Sequence, residues 1–349
     1  MPARVDVLIR GAGPVGCALA LALAPSGLRI ALLEQFPPKP GFRPLALSYA
    51  SRLILERIGA WQDIGVTRID RILVSQSEAF GRTRLDAGDA GVPALGYVTG
   101  YRELVEALRA RLAALITREA PSARFVVHAE GSIAEGMSKR YGQDALVALL
   151  RMEGAPVATA LERFTPEGPL ALLPYESGYA LVWSLRPERA HHLVEASEAD
   201  FLAALKEAAG PAPGNAIAVA ERSTYPLRLS VRRVRVTGSE IHIGNAAQTL
   251  HPVAGQGLNL GLRDAWQLAR ALGEVANSGD ERALQRYAAQ RRLDAVATIA
   301  VTDLLAAGFL GRSRALRLAR GAALAALDAT PVARRFFARR MIFGTSALP

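Results

Sequence analysis

A glycine-rich loop between a short strand and a helix is the part of the sequence best suited to chemistry. The strand ends near Gly244, the loop contains Gly255 and Gly257, and a helix is predicted from Leu258. Because glycine has no Cβ atom, such a loop can bring its backbone close to a ligand. A helix N-terminus favours negative charge through its free N–H groups and its dipole. The loop therefore predicts a site for an anion, or for a flat heterocycle that gains negative charge on reduction.

A second glycine pattern, near the N-terminus, has the spacing of a dinucleotide-binding unit. An apolar strand is followed by Gly11, Gly13 and Gly16 at the start of a helix, and a second strand ends in Glu34. Gly11 would make the turn, Gly13 would admit a pyrophosphate, and Gly16 would let helix and strand pack closely. An acid at the end of the second strand accepts hydrogen bonds from a ribose and repels a 2′-phosphate. The unit therefore predicts FAD or NAD at this site rather than NADPH.

The remaining pattern of elements predicts an α/β protein with two parts. A Rossmann-like FAD-binding domain is expected over residues 1–144 and 237–311, interrupted by a substrate-binding domain over 145–236. The inserted domain is expected to be a mixed or antiparallel sheet, with a hairpin turn at residues 176–178. A leucine stripe predicts a helix over residues 101–116. Residues 312–349 are expected to form a basic helical C-terminal segment.

Composition limits the classes of protein to which the chain can belong. Half of its 349 residues are hydrophobic, and its single cysteine, Cys17, excludes an internal disulfide and is predicted to be a buried structural thiol. No signal peptide is visible, and the closest approach to a membrane span, residues 295–310, is interrupted by Asp303. The histidines lack metal-ligand spacing, so no metal site is expected. These features predict a cytoplasmic protein.

Positive charge is concentrated near the C-terminus. The chain has a net charge of +10, and residues 312–340 contain eight arginines and one acid, Asp328. One interpretation is an ordinary solvated helical face. The other is a basic amphipathic surface that meets anionic lipid or an acidic partner, which would place the protein peripherally at the inner membrane. Nucleic acid is not an expected partner, because the segment has few aromatic residues and no nucleic-acid-binding motif.

Taken together, these motifs resemble those of the single-component FAD-dependent aromatic hydroxylases, and most of all the ubiquinone-biosynthesis hydroxylases. The resemblance rests on the glycine pattern at residues 11–16, the segment at Arg43, the helix at Tyr101 and the run Gly-Asn-Ala-Ala-Gln-Thr-Leu-His-Pro from Gly244. It covers nearly the whole chain. It implies a fold like that of para-hydroxybenzoate hydroxylase, FAD as cofactor and NAD(P)H as electron donor. The implied reaction is hydroxylation of a polyprenyl phenol by O2 through a flavin hydroperoxide, with other ubiquinone-biosynthesis proteins as possible partners.

The resemblance also implies which residues hold the cofactor. Those expected to contact FAD are Gly11, Gly13, Gly16, Glu34, Arg43, Arg102, Asn245, Gly255, Gln256, Gly257, Leu258 and Asn259. His251 and Pro252 are expected near the reactive face of the flavin, as the catalytic pair. Most relatives have an aspartate where this chain has Asn245. An amide at that position can donate as well as accept hydrogen bonds and removes one negative charge.

The chain departs from the family pattern in one region. A pair of strands and their hairpin usually separates the helix at Tyr101 from an Asp-Gly motif. Here only residues 117–123 intervene, and the motif reads Glu130-Gly131. Two other functions stay open: another flavin enzyme of the same fold, such as an aromatic-acid hydroxylase or a prenyl reductase, and a flavin-poor scaffold subunit of a quinone-synthesis complex. An acid substrate would require an exposed arginine in the sheet domain.

Overall fold

The computed structural model describes residues 4–34, 41–77, 80–131, 136–210, 214–252, 255–310 and 314–344. The strands, in chain order, are β1 (Val5–Arg10), β2 (Ile30–Leu33), β3 (Pro44–Ser48), β4 (Thr67–Ile69), β5 (Arg71–Gln76), β6 (Arg82–Asp86), β7 (Gly96–Gly100), β8 (Ile116–Thr117), β9 (Ala123–His128), β10 (Met137–Glu153), β11 (Thr159–Phe164), β12 (Pro169–Tyr175), β13 (Gly178–Leu185), β14 (Asn215–Val231), β15 (Val236–Thr237), β16 (Glu240–His242) and β17 (Gln248–Thr249). The α-helices are α1 (Pro14–Leu23), α2 (Tyr49–Arg57), α3 (Ala87–Ala90), α4 (Tyr101–Ala110), α5 (Pro187–Glu195), α6 (Glu198–Ala209), α7 (Gln256–Ser278), α8 (Arg282–Leu310), α9 (Arg314–Ala329) and α10 (Pro331–Phe343).

A mostly parallel sheet carries the nucleotide-binding unit. Its strands lie in the order β15-β16-β9-β1-β2-β8. Val7 and Ile9 of β1 share a core with Leu19 of α1 and Leu268 of α7, so both helices cover the same face of the sheet. Because the carboxyl ends of parallel strands meet at one edge, the turn after β1 and the residues after β2, β9 and β16 lie at the same edge.

A second, eight-stranded sheet has the order β17-β14-β10-β13-β12-β11-β5-β6. Its long strands β10 and β14 pair antiparallel, with irregularities that include one between Arg140 and Asp144. On one face, Leu146, Leu181 and Trp183 pack against α5 and α6. The sheet includes β5, β6 and β17, and its strand β10 starts at Met137, so it extends beyond the predicted range of 145–236.

The C-terminal helices return to both sheets. Helix α9 lies along the edge strand β6, where Gly321 and Gly81 approach so closely that a Cβ on Gly81 would be 2.5 Å from the Gly321 Cα. Helix α10 shares a core with the small sheet β3-β7-β4 through Ile342 and Val98. Residues 312, 313 and 345–349 of the predicted basic segment lie outside the described residues.

The α/β fold with two unlike sheets is confirmed, and so is the hairpin at residues 176–178 between β12 and β13. The buried Cys17 is confirmed as well. The helix predicted over residues 101–116 is wrong in its last part, because α4 ends at Ala110. The chain then turns back and Ile116 pairs with Leu32, which adds β8 to the parallel sheet. A leucine stripe shows which residues are buried but not how far a helix continues. Here the pairing of Ile116 with β2 gives a strand instead.

Candidate cofactor and substrate site

The three glycines of the nucleotide turn serve different purposes. Gly11 has a φ of +108°, and a Cβ there would lie 2.7 Å from the backbone nitrogen of Glu130. A Cβ on Gly16 would lie 1.9 Å from the carbonyl oxygen of Gly11. Gly13 has a φ of −81°, which any residue adopts, and the nearest atom to an added Cβ is the Tyr101 hydroxyl at 3.6 Å. Folding thus requires glycine at positions 11 and 16, whereas only a ligand would require it at position 13.

The glycine-rich loop also contains one glycine that the fold requires and one that only a ligand would require. Gly255 precedes α7 with a φ of +59°, and a Cβ there would lie 3.0 Å from the Cβ of Ala46. Within the described residues, no neighbouring atom lies within 4 Å of a Cβ added to Gly257. The helix begins at Gln256, two residues earlier than predicted. Its first turn therefore borders open space, beside N–H groups that no helical carbonyl can satisfy.

Val15 brings the two nucleotide elements together. It lies in the first turn of α1, and a Cβ on Gly244 would be 3.1 Å from its Cγ1. A Cβ on Gly261 would be 2.7 Å from its Cγ2. Because both positions are glycine, the first turn of α1 packs directly on α7 and on the turn after β16. Two helix N-termini thus lie close together, and both favour negative charge.

Asn259 is engaged by the protein itself. Its Nδ2 donates to the carbonyl oxygens of Ala46, at 2.9 Å, and Gly255, at 2.7 Å. Its Oδ1 accepts from the Ser48 backbone nitrogen at 2.8 Å and from the Ser51 hydroxyl at 2.6 Å. The Asn259 side chain therefore fastens the loop to β3 and α2, and the expectation that this residue borders the flavin stays a prediction. The first turn of α7 is positioned by these four hydrogen bonds.

The other predicted residues of the loop have different surroundings. Asn245 is half-buried, and no hydrogen bond to its side chain occurs among the described residues. Gln256 is buried, and Leu258 is half-buried and packs on the main core. Of these three, Asn245 has the side chain best placed to gain a partner from a ligand, since a half-buried amide without partners is unfavourable.

His251 is buried and neutral. Only 1% of it is exposed, and burial lowers its pKa to about 4. Its ring and that of Tyr141 are nearly perpendicular, with centroids 4.9 Å apart. The Tyr141 hydroxyl donates to Asp303 Oδ1 at 3.0 Å, and Lys139 Nζ donates to the same oxygen at 2.8 Å. Sequence reasoning missed this group, although a lone acid in the apolar stretch of α8 was its signal. Pro252 follows His251 and is half-buried.

The predicted charged residues are held in specific contacts. Glu34 Oε1 lies 2.6 Å from Arg109 Nη2. The acid expected to bind a ribose is thus also paired with an arginine, which the sequence pattern did not predict. Arg43 lies over the rings of Tyr101 and Tyr225, its Cζ 5.7 and 5.8 Å from their centroids. Of these residues, Tyr101 approaches the nucleotide turn, since its hydroxyl is 3.6 Å from a Cβ added to Gly13.

Arg102, unlike Arg43, lies beside the eight-stranded sheet near Tyr175. Its side chain is exposed, and its charge acts on Tyr175 of the eight-stranded sheet, where burial is the main cause that raises the pKa of the phenol to about 12. The structure places Arg102 beside that sheet.

A buried network of charges lies beneath the loop. Asp264 accepts hydrogen bonds from Arg235 Nη1 at 3.2 Å and Arg291 Nε at 2.6 Å. Its other oxygen accepts from Gln248 Nε2 at 2.8 Å and from the Gly244 backbone nitrogen at 3.2 Å. Asp294 pairs with Arg291 at 2.8 Å and with Arg263 at 3.0 Å. The turn that carries Asn245 is thus anchored to α7 and α8 by buried charge.

One face of the eight-stranded sheet lies opposite the face that packs on α5 and α6. Tyr225 on this face donates to the Phe42 carbonyl oxygen at 3.3 Å. Val147 lies beside Val182 and Ser223 in the neighbouring strands, and Val182 lies beside Ala171. These four residues are uncharged, and Val182, Ser223 and Ala171 are only half-buried. The nearest charged neighbour of Ala171 in the sheet is an acid, Glu162.

The residues present fit a dinucleotide with a flat ring system. Open space at Gly13 and Gly257, two adjoining helix N-termini and the amide of Asn245 together form a cradle for a pyrophosphate and a polar chain. No group of three or more metal-ligating side chains occurs in the described part of the chain.

Comparison with known proteins gives the same result. A family model described as "FAD binding domain" matches residues 51–302. The chain is 31% identical to ubiquinone hydroxylase UbiL of Rhodospirillum rubrum over 382 aligned positions, which cover 96% of this chain and 88% of that protein. It is 27% identical to 3-demethoxyubiquinol 3-hydroxylase of Escherichia coli, over 95% of this chain and 96% of that protein.

The fold is shared with solved structures. The crystal structure of p-nitrophenol 4-monooxygenase PnpA from Pseudomonas putida matches with a TM-score of 0.80, over 99% of this chain and 100% of that chain, at 18% identity. The match to the family model covers most of the chain, and the match to UbiL covers nearly all of it. The chain therefore belongs to the family of FAD-dependent ubiquinone-biosynthesis hydroxylases.

Proposed function

We propose that this FAD-dependent monooxygenase hydroxylates the ring of a polyprenyl phenol in ubiquinone biosynthesis, with NAD(P)H as electron donor and O2 as co-substrate. The observation that carries the choice of substrate is the uncharged sheet face formed by Val147, Val182, Ala171 and Ser223. A phenol with a hydrocarbon tail can bury its apolar surface there. A carboxylate substrate would instead need a cation among them, and the charged residue in register beside Ala171 is an acid, Glu162, while Arg43 lies at the edge of the face over the Tyr225 ring.

In this proposal the two sheets have separate tasks. The six-stranded sheet with α1 and α7 binds FAD, and the eight-stranded sheet binds the substrate. Bound FAD supplies the redox chemistry, namely the uptake of reducing equivalents and the activation of O2. The residues of this chain bind, orient and exclude water. Gly11, Gly13, Gly16 and Glu34 take the ADP half, and Gly255, Gln256, Gly257 and Leu258 border the ring system.

The polar residues around the ring would position it. Asn245 donates to or accepts from the polar chain between pyrophosphate and ring, and Arg43 lies near the pyrophosphate. His251, neutral at physiological pH, and Pro252 form the wall on the reactive side. Asn259 acts indirectly, by holding the turn that starts α7. Arg102 contributes least to holding the cofactor, because its side chain is exposed beside the eight-stranded sheet.

The test is genetic complementation with quinone analysis. Cells without this gene should accumulate a prenyl phenol that lacks one hydroxyl group, and the wild-type chain should restore ubiquinone. The Gly257→Val variant should fail to restore it, because the side chain fills the open space beside the first turn of α7. Gly65→Val is the matched control, since Gly65 is exposed and a Cβ there also meets open space. Normal ubiquinone in cells that lack the gene would contradict the proposal.

The alternatives give different results in vitro. An aromatic-acid hydroxylase would oxidise NAD(P)H and form product with soluble phenolic acids, and a prenyl reductase would consume NAD(P)H without incorporating oxygen. A scaffold subunit would purify without the yellow colour of flavin. The FAD-binding cradle disfavours a scaffold subunit, the uncharged sheet face disfavours an aromatic-acid hydroxylase, and the relatives named as hydroxylases disfavour a prenyl reductase.

We also propose that the enzyme meets its lipid substrate by resting on an anionic membrane surface through α9 and α10. Among the residues of α9 whose exposure the structure describes, the exposed ones are apolar, namely Ala315, Leu318, Ala319, Ala322, Ala323, Ala325, Ala326 and Ala329. They continue into Val332 and Phe336 of α10, which are 78% and 72% exposed. A continuous exposed apolar stripe of this kind is unusual for a surface that faces only water.

The arginines of this region take a different position from the one expected. Arg317 and Arg320 are half-buried on the inward side of α9, and Arg334 pairs with Asp89 at 3.3 Å. Arg335 is exposed beside Phe336. The apolar side of α9 therefore faces outward, while the net charge of +10 draws the protein toward anionic lipid. In the described part of the chain, no helix is long and apolar enough to cross a membrane.

Replacement of both Val332 and Phe336 by serine should weaken binding to vesicles that contain phosphatidylglycerol by about tenfold or more, since each large apolar side chain contributes roughly 1.5–3 kcal/mol on burial. Sedimentation with vesicles measures the effect. The control is the double variant Val157→Ser with Val234→Ser, which removes two exposed valines elsewhere. Equal binding by both double variants, or binding of the wild type to a protein partner but not to vesicles, would refute the membrane assignment.

A further inference from the structure

A cluster of titratable side chains lies at the carboxyl edge of the parallel sheet, beside the nucleotide turn. His128 ends β9, and its ring is stacked on that of His242 of β16, with centroids 4.5 Å apart and an angle of 10° between the planes. Its Nδ1 lies 3.0 Å from Glu130 Oε1, and its Nε2 lies 2.6 Å from Glu240 Oε2. A carboxylate thus faces each ring nitrogen.

Only the charged imidazole satisfies both carboxylates. An imidazolium donates from both nitrogens, whereas a neutral imidazole donates from one and presents a lone pair to the other carboxylate. The hydrogen bond to Glu130, with that to Glu240, raises the pKa of His128 against the opposing effect of burial. Burial lowers the pKa of the stacked His242 to about 4, helped by the charges of Arg232 and His128. Of the two stacked rings, His128 is therefore the one that takes up a positive charge.

The cluster is joined to the nucleotide turn through Glu130. The backbone nitrogen of Glu130 is the atom that a Cβ on Gly11 would strike at 2.7 Å. The Ala129 nitrogen donates to the carbonyl oxygen of Arg10 at 2.8 Å, so residues 129 and 130 form one wall of the turn. The second carboxylate oxygen of Glu130 is buried without a hydrogen-bond partner among the described residues. The bond to His128 is therefore the contact that fixes the Glu130 side chain.

We propose that His128 is a positioning residue for the cofactor: its imidazolium bridges Glu130 and Glu240 and so holds the wall of the nucleotide turn against Gly11, which makes FAD affinity depend on the charge of His128. The other charged groups around it are Arg10, in register beside it on β1, and Arg232, close to His242. The inference rests on FAD occupying the turn at residues 11–16.

The sign of the pH dependence follows from the bridge. A group whose pKa is raised by its partners contributes fully below its unperturbed pKa, about 6.5 for histidine, and the contribution is lost as pH rises through the raised value. FAD affinity is therefore expected to fall as the pH is raised. Deprotonation of His128 leaves one of the two carboxylates facing a nitrogen lone pair. The wall of the nucleotide turn then loses a hydrogen bond that holds it.

The experiment is titration of the apoprotein with FAD, followed by flavin fluorescence, between about pH 6 and about pH 9. Wild-type affinity should fall about tenfold over this range, which corresponds to about 1.4 kcal/mol. His128→Gln should bind weakly at every pH, with a flat profile, because glutamine cannot be charged. Glu240→Gln should keep the histidine but move the fall in affinity to lower pH, since one of the two stabilising carboxylates is gone. A merely structural role would not move this midpoint.

The matched control is His191→Gln. His191 also faces a carboxylate, Asp144, at 3.5 Å, but it lies on the helical side of the eight-stranded sheet, and its replacement should leave the FAD profile unchanged. A wild-type affinity that does not change with pH, or a His128→Gln variant with wild-type affinity and profile, would overturn the inference. Failure of the wild type to bind FAD at any pH would instead overturn the cofactor assignment on which the inference rests.

Discussion

Replacement of Gly13 by valine is expected to give a folded protein that retains no FAD. A Cβ at this position meets only the Tyr101 hydroxyl, at 3.6 Å, and the backbone angles of residue 13 suit any amino acid. The fold therefore tolerates the side chain, while the branched methyl groups occupy the space through which a pyrophosphate would approach. The purified protein should be colourless, with a melting temperature equal to that of the wild-type apoprotein.

Two further glycine variants make this result specific. Gly16→Val should fail to fold, since a Cβ there would lie 1.9 Å from the carbonyl oxygen of Gly11. Gly65→Val should fold and bind FAD normally, because residue 65 is exposed and no neighbouring atom of the described residues lies within 4 Å of an added Cβ. Flavin content from the visible spectrum, together with a thermal melt of each variant, separates loss of the cofactor from loss of the fold. Stoichiometric flavin in Gly13→Val would refute the assignment of this turn.

The sequence predicts the nucleotide turn from its glycine spacing, but not the separate role of each glycine. Spacing alone places Gly11, Gly13 and Gly16 at a strand-to-helix turn, and the structure has that turn. Spacing cannot show that the fold itself requires glycine at position 11, because the clash there comes from Glu130, which lies more than a hundred residues later in the chain. The same limit applies to Asn259, whose partners Ala46 and Ser48 come from a distant strand.

Charges were the hardest features to interpret from sequence. The arginines of α9 have the spacing of an exposed basic face, yet Arg317 and Arg320 lie on the inward side. Periodicity identifies a helical face but not its direction, and here close contact between Gly321 and Gly81 fixes the rotation of the helix. In the sequence, Asp303 only interrupts an apolar stretch. In the structure, its carboxylate accepts hydrogen bonds from Lys139 and Tyr141 beside His251.

The buried network around Asp264 lay entirely beyond sequence reasoning, because its members lie on β17, α7 and α8, on the turn after β16 and on the chain between β14 and β15. Arg235 and Arg291 become neighbours only when α8 packs on α7, and each is almost completely buried. Burial alone would raise the pKa of Asp264, but the charges of these two arginines hold it below its usual value. The carboxylate is therefore ionised at neutral pH. Its contribution to stability is present at neutral pH and is lost only in acid, as pH falls through that lowered pKa.

Replacement of Asp264 by asparagine should accordingly lower the free energy of unfolding by about 3–5 kcal/mol, since removal of one partner leaves buried positive charge without compensation. The asparagine amide can also accept from only some of the donors at Arg235, Arg291, Gln248 and the Gly244 nitrogen. Because the last two belong to the loop that carries Asn245, FAD affinity should fall as well. Urea denaturation of the apoprotein measures the first effect, and FAD titration measures the second.

The same substitution at Asp6 is the matched control for this prediction. Asp6 pairs with Arg29 at 3.0 Å on the surface, where both side chains are in contact with solvent, so Asp6→Asn should have a much smaller effect on unfolding. Asp264→Asn should also flatten the loss of stability below neutral pH, because the group that titrates has been removed. If the two variants unfold with the same free energy, the buried network does not hold the loop, and the anchoring of Asn245 must come from the packing of Val15 on Gly244 and Gly261 alone.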